Sequence, residues 1–164
     1  MNKNKNSPLS NPCIIAYSFG TDTAEKFYGK SNKAIAERIM QYLVLQNLPV
    51  IAQWEIAATL CLHSVKVFSI SLPEGKTYID TRHVTREIKR VMESQGFDSV
   101  VVFAHPDHLA RIYLMLKQEK IAIKEKLKME IPYDPESMQN WTRSKAHFLP
   151  REIVTYLLTF LKLL

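Results

Sequence analysis

The residues best suited to chemistry lie in one run, His105-Pro-Asp-His108-Leu-Ala-Arg111. His108 and Arg111 are three positions apart, so on a helix they share a face. The apolar run Val100-Val-Val-Phe-Ala104 precedes them, and Pro106 is suited to open a helix. The group therefore falls where a strand hands over to a helix, whose free N–H groups and dipole attract anions. Arg111 would offer a phosphate or carboxylate a bidentate fork. His108 and His105 would donate hydrogen bonds or move protons. The plainer alternative makes both histidines surface or capping residues.

Three more segments fall at expected strand ends. Asp80-Thr81, with His83 just beyond, could line a pocket or simply cap the following helix. Thr21-Asp22-Thr23 could bind a ligand hydroxyl or a metal, or form an ordinary turn. With His105 and His108, Asp22 would make a set for metal-assisted hydrolysis. Glu55 follows an expected strand, and Trp54 beside it suits stacking on a ring or packing. The sharper signals are missing. With glycines only at 20, 29, 75 and 96, neither G-x-G-x-x-G nor a P-loop can be written. There is no G-x-S-x-G, H-E-x-x-H or C-x-x-C, so the residues name no cofactor. Cys13 and Cys61 both sit in apolar runs and read as buried thiols.

Elements that alternate along the chain must position these groups. Cys13–Ser18, Val50–Ala52, Val65–Ile70, Val100–Ala104 and Ile121–Ile131 read as strands. Between them, helical spacing predicts a helix after Ser31 as N-cap, a short one over Trp54–Leu62, one over Asp80–Gln95 stopped by Gly96, and one carrying Leu109, Ile112, Tyr113 and Leu116. Tyr133–His147 reads as loop, and a last helix is expected to start near Pro150. This order predicts an α/β fold, a Rossmann-like three-layer sandwich with a mostly parallel sheet flanked by helices. In such sheets ligands bind outside the carboxyl ends of the strands.

Composition narrows the class further. The 164 residues are 46% apolar and 23% charged, as in an ordinary globular domain. Residues 1–12 read as a disordered lead-in and 13–164 as one domain. The net charge of +6 is spread among acids, as in Lys124-Glu-Lys-Leu-Lys128, with no basic stripe, so nucleic acid is not expected as partner. No apolar run reaches the roughly 18 residues of a membrane span, and the N-terminus lacks a signal-type apolar core. A cytoplasmic protein without a span is the expectation.

The stretch 79–111 resembles the SanA/ElyC/YdcF-like family of bacterial domains. Thr81 lies fifteen residues before Gly96, Val100–Phe103 supplies an apolar strand, and His108-Leu-Ala-Arg111 matches the family's H-x-x-R. The first strand with its loop and the closing Arg151-Glu152 pattern also fit, so the likeness runs from Cys13 onward. Asp80 stands where the family has Asn, His83-Val84 replace its E-N pair, and Ala104-His105 replace T-S. The resemblance implies the fold and the place of the site, with His108 and Arg111 at its centre. The family's membrane segments and envelope-polysaccharide role have no counterpart in these residues.

The reading that follows is a domain binding an anionic or nucleotide-like small molecule. Arg111 would hold the negative group, and Asp80, Thr81, Asp22 and Glu55 would line the pocket. As an enzyme it would perform acid–base hydrolysis or group transfer through His108 and His105. The alternative is a non-catalytic protein that dimerises through its apolar C-terminal helix, with Leu157, Leu158, Phe160, Leu161, Leu163 and Leu164. Covering the domain's own sheet is the simpler use of that helix.

Overall fold

Strands buried on both faces must be apolar at nearly every position, and three segments come close to that, with Gln53 and Ser99 the polar ends. Pro12–Ala16 (β1), Val50–Gln53 (β2) and Ser99–Phe103 (β4) are buried almost throughout. Val67–Ile70 (β3) and Ala122–Lys126 (β5) are more exposed, as edge strands can be. A computed structural model describes residues 10–20, 28–71, 74 and 79–161. Its five strands form an all-parallel sheet in the order β3-β2-β1-β4-β5. Helices on both faces make it the Rossmann-like α/β sandwich that the alternation predicts.

Successive strand side chains point to opposite faces, and the core divides accordingly. Ile14, Ala16, Val101 and Phe103 meet Ile35 and Ile39 of α1 (Lys30–Leu45) and Ile56 and Leu60 of α2 (Trp54–Leu62). Cys13, Ile15, Val100 and Val102 meet Val84 and Ile88 of α3 (Thr81–Gln95) and Ile112 and Leu116 of α4 (Leu109–Gln118). Strand order reverses between β1 and β4, the switch point where a crevice opens at the carboxyl edge.

Several boundaries differ from the sequence expectation. Pro12 already belongs to β1, and Asn11 is tied to the β4 side, its N–H donating to Asp98 at 2.8 Å. Ser31 does not cap α1. Its hydroxyl donates to the Pro132 carbonyl, and the buried Asp134 accepts from the Lys30 N–H at 2.7 Å, capping the helix from far along the chain. The strand expected over Ile121–Ile131 ends at Lys126, after an irregularity opposite Val100 and Val101. Cys13 is buried, its thiol pushed up to about 12 mainly by burial, whereas Cys61 is exposed on α2. Apolar neighbours in sequence did not bury it, because α2 turns that side outward.

The last helix, α5 (Lys145–Phe160), begins five residues before Pro150. Pro150 therefore sits inside it and forgoes one helical hydrogen bond. Instead of covering the sheet, α5 packs chiefly on α4 and on short turns at Pro106–His108 and Asn140–Thr142. Its inward residues are Phe148, Glu152 and Thr159. Among the described residues, no helix is long and apolar enough to cross a membrane.

Candidate functional site

Four strand-to-helix junctions converge on one cavity at the carboxyl edge. Ser18, Phe19 and Gly20 follow β1; Gln53, Trp54 and Glu55 follow β2; Thr81 opens α3; His108 and Arg111 follow β4. Gln139, Trp141 and Thr142 from the turn before α5, and Phe148 within it, complete the wall. The cavity volume is about 70 Å³.

Backbone geometry at Gly20 seats that turn. Its φ of +77° suits glycine, and a Cβ there would lie 2.6 Å from the Thr142 hydroxyl. Thr142 in turn bonds Ser137 and the Gln139 carbonyl. The buried Asn32 fixes the other side, accepting from the Phe19 N–H and donating to the carbonyls of Gly20 and Tyr28. Cross-braces join the first two strand ends. The Ser18 N–H donates to Gln53, and its hydroxyl donates to Glu55 Oε2 at 2.9 Å. Glu55 is buried, and burial raises its carboxyl above the ordinary range, with Ser18 pulling partly back.

The opposite wall is a closed ring of polar side chains, each less than a tenth exposed. Arg111 Nε donates to both Glu152 oxygens, at 3.0 and 3.1 Å, and its Nη2 lies 2.9 Å from Oε2. Arg111 Nη1 donates to Thr81 Oγ1 at 3.0 Å. Thr81 Oγ1 is 3.3 Å from His108 Nε2, and His108 Nδ1 is 3.1 Å from Glu152 Oε1. In the Nδ1–H tautomer the ring donates to the carboxylate and Nε2 accepts the Thr81 proton, with the Arg111 Nη2 donor 3.2 Å from the same Nδ1. Burial lowers the His108 pKa, and the Arg111 charge adds to this against the pull of Glu152. Burial works against the charge on Glu152, but His108 and Arg111 outweigh it and hold the carboxyl low. The ring thus contains a neutral imidazole between a hydroxyl and a carboxylate, the layout of a proton relay.

The sequence candidates divide clearly in space. His108, Arg111, Thr81 and Glu55 meet at the cavity. Asp80 is exposed and caps α3, accepting from the His83 N–H at 2.8 Å. His105 is buried off the cavity wall, stacked 3.9 Å from Phe19 and tilted against Tyr133 at 4.4 Å. Burial brings its pKa down to about 4, with Asp107 opposing. Asp22 lies outside the described residues, and among those described no group of three metal-ligating side chains is assembled. The guanidinium offered to a ligand from sequence alone is instead spent on Glu152 and Thr81. Glu152, noted in the sequence for the closing Arg151-Glu152 pattern of the resemblance and not as a site residue, is the acid that closes the ring. Asn32 and Gln139 carried no sequence signal, and Gln53 was marked only by lying at a strand end with Trp54 and Glu55. The sequence matches no known family profile, and no curated protein matches it.

Proposed function

We infer that this chain is a small-molecule-binding α/β domain of SanA/ElyC/YdcF-like type that acts on its ligand by acid–base hydrolysis or group transfer. The observation that carries the reading is His108, buried in a cavity wall and hydrogen-bonded on both ring nitrogens within the Thr81–His108–Glu152–Arg111 ring. Such a satisfied but titratable imidazole is suited to moving a proton. Glu55, with its raised pKa, supplies a second proton-transfer group in the same cavity.

Charge and size restrict the ligand. Glu152 compensates Arg111, so this wall offers no bare cation, and a polar or singly charged nucleotide-like ligand fits better than a phosphate dianion. The volume is under half of the roughly 150 Å³ that admits benzene. Only a short group enters, and the larger part of the ligand stays outside. A cytoplasmic address belongs to the same reading.

A thermal-shift screen of nucleotides, sugar phosphates, S-adenosylmethionine and divalent metals tests it. At one hundred times its dissociation constant a ligand stabilises by about 2.7 kcal/mol. The expected result is a shift in wild type that is lost in a folded Glu55→Gln or His108→Gln variant. Equal shifts in all three would place the ligand elsewhere.

A second reading keeps one observation of its own. The outward face of α5 exposes Ile153, Val154, Leu157, Phe160 and Leu161, each more than half exposed. We propose this face as the contact of a homodimer under that reading. Sedimentation of wild type and Leu157→Glu, Leu161→Glu protein decides it: a dimer that the substitutions dissociate supports it, and a monomer throughout removes it.

A further inference from the structure

We propose that Thr81 is a nucleophile, activated by His108 and Glu152, and that the substrate is the ester of a short carboxylic acid with a larger polar alcohol. This rests on the proposed function above and names its reaction. Thr81 is a hydroxyl on the cavity wall within reach of a base, and that base is oriented by a carboxylate. The relay draws its parts from α3, the Pro106–His108 turn and α5, so three separate elements have to agree to build it. A helix needs only Asp80 as cap, which leaves the Thr81 hydroxyl unneeded for that purpose. Arg111 Nη1 donates to the same oxygen and favours the negative charge that builds there as the proton leaves.

The substrate class follows from the space and charge. A cavity of about 70 Å³ takes an acyl group of a few atoms and leaves the alcohol outside. The compensated Arg111–Glu152 pair suits a neutral carbonyl centre. In the first step the Thr81 Oγ–carbonyl carbon bond forms, the Thr81 proton moves to His108 Nε2, and the carbonyl π pair moves onto oxygen. Collapse breaks the ester C–O bond, and the leaving alkoxide takes the proton from His108. Water, deprotonated by the same nitrogen, then cleaves the acyl–Thr81 ester, releasing the acid and restoring the hydroxyl. With the His83 N–H held by Asp80, the Thr81 and Arg82 N–H groups at the start of α3 are the ones left for the oxyanion. Glu152 acts here as a positioning residue.

The experiment treats the full chain with a fluorophosphonate probe and maps the adduct by peptide mass spectrometry. Labelling forms the Thr81 O–P bond, breaks P–F, and releases fluoride with the proton. Wild type and Thr81→Ser are expected to label at position 81. Thr81→Val is expected to carry no label there, and His108→Gln to label about a hundredfold more slowly. The wild-type rate should rise with pH through the His108 titration, below the ordinary histidine range, which a purely bracing hydroxyl would not produce. Circular dichroism establishes that each variant is folded. No label on Thr81 in wild type overturns the proposal whatever the variants do. If the ligand screen still gives its site-dependent shift, the nucleophile alone is lost; if neither appears, the ligand-binding reading falls with it.

Discussion

His105 and His108 stand three residues apart in one turn, both buried, and their surroundings make them different chemical objects. His105 lies in an aromatic stack with Phe19 and Tyr133, and its Nδ1 only accepts from the Asp107 backbone. His108 holds a hydroxyl on one nitrogen and a carboxylate on the other. Residue type and spacing are the same for both. What separates them is the identity of groups arriving from elsewhere: rings for one, and Thr81, Arg111 and Glu152 for the other. A buried histidine is functional only as far as its partners are polar and reachable.

The comparison breaks most severely at Glu152. Glu152→Ala leaves the Arg111 charge buried and unpaired, a loss of about 3–5 kcal/mol. For a domain of this length that is roughly 6–20 °C in Tm, read by calorimetry. Replacing both partners, Arg111→Met with Glu152→Leu, is expected to recover much of this loss. A double variant no better than the single one would contradict the pairing. Next in size is the exchange of each histidine for phenylalanine. His108→Phe strands the Thr81 and Glu152 bonds and costs about 1–3 kcal/mol in urea unfolding. His105→Phe keeps the aromatic stack and costs under about 1.5 kcal/mol. Equal costs would erase the distinction drawn here.

Acid sharpens the contrast further. Burial takes the His105 pKa down to about 4 and the His108 pKa below the ordinary 6.5, so the unfolded chain binds more protons as pH falls below 6.5. Their stabilising contribution is complete above about pH 6.5 and is lost as pH falls, by up to about 1.4 kcal/mol per unit for each. The lowered Glu152 adds loss at still more acid pH, whereas the raised Glu55 works in the opposite sense above the carboxylate range. His105→Phe should flatten the fall between pH 6.5 and 4 without moving any pH-dependence of ligand binding. The smallest effect is expected on the outer face of α5. Leu157→Glu should stay within about 0.5 kcal/mol of wild type, because only the inward face carries Phe148 and Glu152.

Much of the architecture was legible because buried parallel strands leave uninterrupted apolar runs. Val100–Phe103 and Cys13–Ala16 announce themselves, and Gly96 stops α3 in the left-handed conformation that glycine favours. The site was legible at His108, Arg111, Thr81 and Glu55, since strand ends can be located from those runs. The rest depends on long-range partners that spacing cannot encode. Asp134 caps a helix that starts about a hundred residues earlier, and Glu152 reaches back to Arg111 from α5. Pro150 misled for a local reason. Proline favours a helix start, yet here the preceding turn was already helical and the chain accepted one missing bond.

The most direct measurement is the protonation of His108, read from a long-range proton–nitrogen NMR spectrum of the wild type at neutral pH. The expected result is a neutral ring protonated on Nδ1, with Nε2 bare toward Thr81, persisting below the ordinary histidine pKa. A ring protonated on Nε2, or an imidazolium at neutral pH, would leave no base facing the hydroxyl and would contradict it.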